Sequence, residues 1–229
     1  MGPGRGLAGR LGATAARLAG AVVAVAAGLA LVACAARVPV EPAAAGEERL
    51  VIDLRLPEDF AAGHLPGALN IQLGWDQLEG RTRSYVPDLD RPLALRATDT
   101  AEAERAAAVL THLGYRDLAR VEPTPEQETA TLELGMAVDL ARELGGPAPP
   151  VVLDIRHPRE LEGGVIEGAV LIHEDEGPAA VAGLDPDRRY LIVCEGGWRS
   201  SQLASWMRIQ GFDDVVNVLD GMAGWRELD

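Results

Sequence analysis

The feature of this sequence that most constrains its fold is an internal repeat. Residues 50–58 (LVIDLRLPE) correspond to residues 152–160 (VLDIRHPRE), with Asp53 matching Asp154 at a spacing of 101 residues. Further on, residues 62–68 (AGHLPGA) correspond to 163–169 (GGVIEGA). In each copy a second apolar run and a strand-loop-helix unit follow. Strands that alternate with helices predict α/β domains, each with a small parallel sheet flanked by helices.

The second copy contains the most chemically distinctive stretch, residues 191–200 (LIVCEGGWRS). An apolar strand is predicted to end at Cys194, where a loop leads into a helix. Backbone N–H groups of such a loop converge on one point and the helix dipole adds positive charge there, so an anion or a thiolate is stabilised. Arg199 places a permanent cation nearby. The helix is predicted because apolar residues recur at three- and four-residue spacing, at Leu203, Trp206 and Met207.

The first copy lacks these reactive groups. Aligning the glycines that end the two predicted helices places Ala97 opposite Cys194 and Glu102 opposite Arg199. We therefore expect an inactive domain over residues 49–121 and an active one over residues 122–229. Apolar spacing within the linker predicts a helix over residues 125–144 that opens the second domain.

Composition excludes several kinds of function. The formal net charge is −14, which argues against nucleic acid as a partner. Every basic residue is arginine, so Schiff-base chemistry on lysine is excluded. Cys34 and Cys194 are the two cysteines of the sequence, too few for a zinc site or a disulfide framework, and we expect no metal and no cofactor.

The first 33 residues have the pattern of a secretory signal. Arginines precede an uncharged apolar run over residues 18–36, which ends near Leu-Val-Ala-Cys at Cys34. This tetrapeptide resembles the lipobox of bacterial lipoproteins, which implies cleavage before Cys34 and a lipid on its thiol. An uncleaved signal anchor and a misassigned start codon are the alternatives. The expected location is lipid-anchored at the bacterial cell envelope outside the cytoplasm, with residues 34–48 as a flexible tether.

Taken together, the repeated motifs resemble the rhodanese-like superfamily, specifically tandem members with an inactive first domain and an active second one. The resemblance covers residues 48–228. It rests on Asp-x-Arg after a strand in both copies, Gly-His-Leu-Pro-Gly-Ala in the first copy and Cys-x-x-Gly-x-Arg-Ser in the second. Residues 221–225 (GMAGW), near the end of the sequence, complete the pattern.

The resemblance implies a sulfurtransferase in which Cys194 takes a sulfane sulfur from a donor such as thiosulfate and passes it to a thiol or cyanide. Arg199 would orient an anionic donor, since its planar fork matches an oxyanion. The acceptor could be a small thiol or a redox protein. The remaining residues of the donor-binding loop would be Glu195, Gly196, Gly197, Trp198 and Ser200.

Individual side chains of this site keep more than one interpretation. Ser200 either donates its hydroxyl to the sulfur or caps the helix. Trp198 either lines the entrance or packs between the domains. Asp154 and Arg156 are expected to form a structural ion pair behind the loop rather than to act in catalysis. Glu195 is expected to disfavour the neighbouring thiolate and anionic donors.

Two other functions stay open from the sequence. A non-catalytic binding or sulfur-carrier module is favoured by the degenerate first copy, by Glu195, and by Val165 and Glu167, which replace the His and Pro of the family pattern. A cysteine-dependent phosphatase is the other. Four residues separate Cys194 from Arg199, as in the sulfurtransferases, whereas the related phosphatases have five.

Overall fold

The computed structural model describes residues 37–43, 47–74, 77–173 and 176–228. The predicted signal peptide over residues 1–33 and the predicted lipidation of Cys34 lie outside these ranges. Within them, no helix has the length and apolar character that a bilayer crossing requires.

The first copy is built on a four-stranded parallel sheet with the order β2-β1-β3-β4. Its strands bury their apolar side chains, and three helices cover the sheet. The strands are β1 (Leu50–Asp53), β2 (Leu69–Asn70), β3 (Leu93–Arg96) and β4 (Leu118–Val121), and the helices are α1 (Pro57–Ala62), α2 (Gln77–Tyr85) and α3 (Thr100–Leu113).

The second copy repeats this arrangement and adds a strand, in the parallel order β5-β9-β8-β6-β7. A 3₁₀ turn over Pro158–Gly163 takes the place of α1, and a second one spans Val181–Gly183. The strands are β5 (Glu133–Gly135), β6 (Val151–Asp154), β7 (Val170–Leu171), β8 (Tyr190–Val193) and β9 (Val215–Val218). The helices are α4 (Ala137–Leu144), α5 (Gly177–Ala180), α6 (Trp198–Ile209) and α7 (Gly221–Trp225).

The predicted fold class is confirmed, and the two copies match in detail. Asp53 pairs with Arg96 across β1 and β3, as Asp154 pairs with Val193 across β6 and β8. The turns before β2 and β7 are the same as well, because the glycine in each has φ +78°. The replacement of His and Pro in the second copy therefore leaves the course of this turn unchanged.

The helix predicted over residues 125–144 is wrong in its first half. Helix α4 begins at Ala137, and Glu133–Gly135 instead forms β5, which pairs in parallel with β9. Gly135 permits this close pairing, since a Cβ atom there would lie 3.1 Å from Cγ1 of Val216. The apolar spacing reflected the burial of Leu132, which precedes β5, and of Leu140 in α4.

Residues 37–43, which the sequence assigns to a flexible tether, are packed against the first copy. The Ala43 N–H donates to the Arg120 carbonyl at 2.8 Å, and the Arg120 N–H donates to the Glu41 carbonyl at 2.9 Å. Val40 is only 7% exposed. The reason is that the outer edge of β4 offers unpaired backbone groups, which an extended segment satisfies.

A buried ion pair lies at the end of β1 in the first copy and at the end of β6 in the second. Arg156 Nη2 lies 2.7 Å from Asp154 Oδ2 and donates to the Gly164 carbonyl at 2.8 Å, and neither charged side chain is exposed. In the first copy, Arg55 bonds Asp53 and the Gly63 carbonyl in the same way. Each arginine thus ties the end of a strand to the turn that leads into the edge strand.

We expect Arg156→Leu to lower the free energy of unfolding by about 3–5 kcal/mol, because it leaves the buried Asp154 carboxylate without its charged partner. Urea denaturation followed by circular dichroism measures this. The control is Arg142→Ala, which removes an exposed pair with Asp139 and should cost about 0.5 kcal/mol or less. Equal losses in the two variants would contradict a structural role for the buried pair.

Candidate active site

Strand β8 delivers Cys194 to the carboxyl edge of the second sheet. All four residues of the strand are buried, and Cys194 itself is 1% exposed. The chain then turns through residues 195–197 and enters α6 at Trp198. The Cys194 Sγ lies 3.3 Å from the Ser200 Oγ in the first turn of that helix.

Two glycines allow the loop to curl this tightly. Gly197 has φ +81°, and a Cβ atom there would overlap the Leu219 carbonyl oxygen. Gly221, with φ +51°, stands against the Cys194 carbonyl oxygen in the same way. Both positions combine a left-handed backbone with backbone neighbours that cannot move aside, so only glycine fits.

The carbonyl groups of the loop are held by donors outside it. Met222 N–H donates to the Cys194 carbonyl at 2.8 Å, and Ala223 N–H donates to the Glu195 carbonyl at 3.1 Å. The Asn217 side-chain amide donates to the Gly197 carbonyl at 3.0 Å. The terminal Gly-Met-Ala motif and a buried asparagine therefore fix the orientation of the loop peptides.

This arrangement leaves a row of backbone donors. Within the described part of the chain, the loop N–H groups have no hydrogen-bond partner at Glu195, Gly196, Gly197, Trp198 and Ser200. Successive N–H groups at the start of a helix form an anion-binding concavity. The loop can therefore stabilise negative charge on the thiol or on a bound ligand.

Arg199 is paired with an acid that the sequence analysis did not assign to the site. Its guanidinium binds Glu160 in a bidentate manner, at 2.6 and 2.5 Å. The 3₁₀ turn positions Glu160, whose carboxylate also accepts the His157 N–H at 2.9 Å. The hydrogen bonds from Arg199 hold the pKa of Glu160 below its usual range. At neutral pH the charge of Arg199 is thus largely balanced.

Glu195 has a basic partner, and its expected effect on the thiol stays a prediction. Its carboxylate bonds to the Arg226 guanidinium just after α7, and both side chains are about two-fifths exposed. The arginine offsets the negative charge that was expected to disfavour the thiolate and anionic donors. Thirty-one residues separate the partners, so local sequence gave no signal of the pairing.

The structure assigns different surroundings to the other predicted site residues. Gly197 occupies the N-cap of α6, and Ser200 contacts Cys194 rather than capping the helix. Trp198 is the first, partly buried residue of α6. Among the described residues, no group of three or more histidine, cysteine or acidic side chains could hold a metal ion.

In the corresponding loop of the first copy, carboxylates of the loop and of its helix accept two of the backbone N–H groups. Ala97 follows β3 directly, where Cys194 follows β8. Glu102 accepts the Thr98 N–H at 2.7 Å and the Thr98 hydroxyl at 2.6 Å, and Asp99 accepts the Glu102 N–H at 2.7 Å. The N–H groups of Thr98 and Glu102 are therefore not available to an anion.

Comparison with known proteins places these features in context. The rhodanese-like domain model matches the chain twice, over residues 41–122 and 136–228. A Bacillus subtilis (strain 168) protein named as a candidate sulfurtransferase is 31% identical over 99 residues, 43% of this chain and 89% of the relative. Thiosulfate sulfurtransferase GlpE of Shewanella oneidensis is 32% identical over 78 residues, 34% of this chain and 77% of the relative. The solved rhodanese-like domain protein from Staphylococcus aureus is 31% identical with a TM-score of 0.39, over 41% of this chain and 91% of that one.

We expect Gly197→Ala to distort the loop, because alanine is strained at φ +81° and its Cβ meets the Leu219 carbonyl. The variant should lose about 1–3 kcal/mol of unfolding free energy. Its Cys194 should also react with iodoacetamide at an altered rate. The matched control is Gly196→Ala, where a Cβ meets nothing within 4 Å. Identical behaviour of the two variants in urea denaturation and alkylation would show that the loop does not need this glycine.

Proposed function

Because this chain belongs to the rhodanese-like family in two tandem copies, we propose that it is a sulfurtransferase that works through a persulfide on Cys194. The observation that carries the proposal is the buried thiol at the end of β8, followed by a loop with unpartnered N–H groups and an arginine. The similarity to named sulfurtransferases supports the same class of chemistry.

With thiosulfate as donor, the Cys194 thiolate attacks the outer sulfur atom. A new sulfur–sulfur bond forms, the original one breaks, and sulfite leaves with the bonding electron pair. A cyanide or thiolate acceptor then attacks the outer sulfur of the persulfide and leaves as thiocyanate or as a new persulfide, which regenerates the Cys194 thiolate. The loop N–H groups and the Ser200 hydroxyl stabilise the negative sulfur at each stage.

Arg199 is proposed to orient the donor, and its pairing with Glu160 sets a condition on that role. An anionic donor must either displace the carboxylate or bind at the edge of the pair, so part of its binding energy is lost. Donor selectivity for anions should be weak as a result. The same observation favours a sulfur carrier, which receives its sulfur from a protein, as the second candidate function.

The first copy is proposed to be non-catalytic. Ala97 provides no nucleophile, and Glu102 and Asp99 occupy two of the backbone donors of its loop. Cys194 is then the single nucleophilic thiol of the proposed mechanism.

We expect the wild-type fragment beginning at residue 37 to form thiocyanate from thiosulfate and cyanide, with sulfite released in equal amount. Cys194→Ser should remove this activity completely, because a serine hydroxyl cannot hold the transferred sulfur. Glu160→Gln should lower the KM for thiosulfate, because it releases the Arg199 fork.

Colorimetric detection of thiocyanate and mass spectrometry of the persulfide measure these outcomes. A folded wild type that alkylates at Cys194 but transfers sulfur from no donor would rule out the enzyme. If it still carried a persulfide delivered by a partner protein, the sulfur-carrier function would stand. Hydrolysis of an aryl phosphate that depends on Cys194 would instead indicate a phosphatase.

We also propose that the chain is tethered to a membrane by lipid on Cys34, outside the cytoplasm. The arginines and apolar run before Leu-Val-Ala-Cys support this. Mass spectrometry of the full-length protein extracted from membranes should reveal a diacylglyceryl group on an N-terminal Cys34. Cys34→Ser should release the protein from the membrane fraction. Recovery of an intact Met1 on the membrane-bound protein would contradict cleavage.

A further inference from the structure

The edge strand of the first sheet lies against the helix that follows the active loop. Helix α6 contacts β2, and its residues from Ser200 to Ser205 are all buried. Tyr85 of the first copy adds an edge-on contact with Trp206, with ring centroids 5.9 Å apart. The proposed catalytic helix is thus enclosed between its own sheet and the other copy.

Asn70 is the centre of a buried polar network at this contact. Its backbone N–H donates to the Ser205 Oγ at 3.0 Å, and its Oδ1 accepts the Ser201 hydroxyl at 2.6 Å. The two serines stand one turn apart, so Asn70 contacts the helix at two successive turns. All three residues are at most 2% exposed.

The Asn70 side chain is fixed from behind by the first copy. Its Nδ2 donates to the carbonyls of Asp53 at 3.0 Å and Arg55 at 2.9 Å, and its Oδ1 also accepts from Gln72 Nε2 at 2.6 Å. Both donors and both acceptor positions of the amide are therefore in use. A flipped amide would place its oxygen against the carbonyl oxygens of Asp53 and Arg55, so only one orientation fits.

The second copy shows that the fold itself does not require an amide here. Leu171 pairs with Asp154 as Asn70 pairs with Asp53, so the two residues occupy equivalent positions. Leu171 is 51% exposed, whereas Asn70 is fully buried. The amide occurs in β2, which packs against α6, and an apolar residue occurs at the exposed equivalent position in β7.

We infer that Asn70 of the non-catalytic copy is a positioning residue for the Cys194 site, acting through Ser201 on the first turn of α6. Ser201 is the direct neighbour of Ser200, whose hydroxyl lies against the Cys194 Sγ. A shift of this turn moves the Ser200 hydroxyl and the helix N–H groups together relative to the sulfur. The inference rests on the proposed function for its catalytic meaning, whereas the effect on the thiol can be measured independently.

The test compares two network variants with a control of similar structural cost. Ser201→Ala removes only the hydroxyl that reaches Asn70, and Asn70→Leu installs the residue that the second copy uses. The control is Thr82→Val, which deletes a buried hydroxyl bonded to the Leu78 carbonyl at 2.6 Å within the first copy. All three are studied in the full-length protein, well below its melting temperature.

The readout is the rate of Cys194 alkylation by iodoacetamide across a pH series, together with kcat and KM for sulfur transfer. Both network variants should alkylate about tenfold more slowly at pH 7 and lose kcat similarly, because the thiolate loses aligned donors. Thr82→Val should keep the wild-type alkylation profile even where its unfolding free energy falls as much.

Alkylation needs no sulfur donor, so it decides the positioning role even if the wild type transfers no sulfur. The inference would be overturned if both network variants alkylate at rates within about twofold of the Thr82→Val rate across the pH series. If Asn70→Leu does not fold, Ser201→Ala alone gives the same decision, since it leaves the Asn70 amide and its ties to the first copy in place.

Discussion

The orientation of the N–H groups in the active loop depends on which groups bond the loop carbonyls. Each peptide unit carries a donor and an acceptor, so a loop can turn its N–H groups toward a ligand only if its carbonyls find partners elsewhere. Here the backbone of α7 takes the carbonyls of Cys194 and Glu195, and Asn217 takes that of Gly197. Residues far along the sequence therefore create the anion-binding character of residues 195–200.

Charge around the loop is balanced rather than strongly positive. Two charged side chains lie in the loop region, and each has a partner of opposite charge. Arg199 pairs with Glu160, and Glu195 pairs with Arg226. Both pairs are partly exposed, so water and salt weaken their fields further. The fixed dipoles of the loop N–H groups remain as the main source of stabilisation for a negative sulfur.

The sequence predicted the features that repeat and missed those that depend on distant contacts. The repeated motifs and the alternation of strands with helices were enough to predict two α/β domains. A strand before Cys194 and a helix after it were correctly placed. The Arg199–Glu160 pair joins residues 39 positions apart, and no local pattern signals it. The helix predicted over residues 125–144 failed because pairing with β9 overrode the helical spacing.

The difference between the copies follows from what each contributes to α6. The first copy supplies an edge strand, and β2 is held in place by the Asp53–Arg55 pair and by the glycine turn at Gly67. Those are the features that the first copy shares with the second. The first copy lacks a thiol and a glycine-rich loop after β3. Neither is part of the contact between β2 and α6. A copy without a nucleophile is therefore still complete as a support, and its Asn70 directs that support toward the helix that carries Ser200.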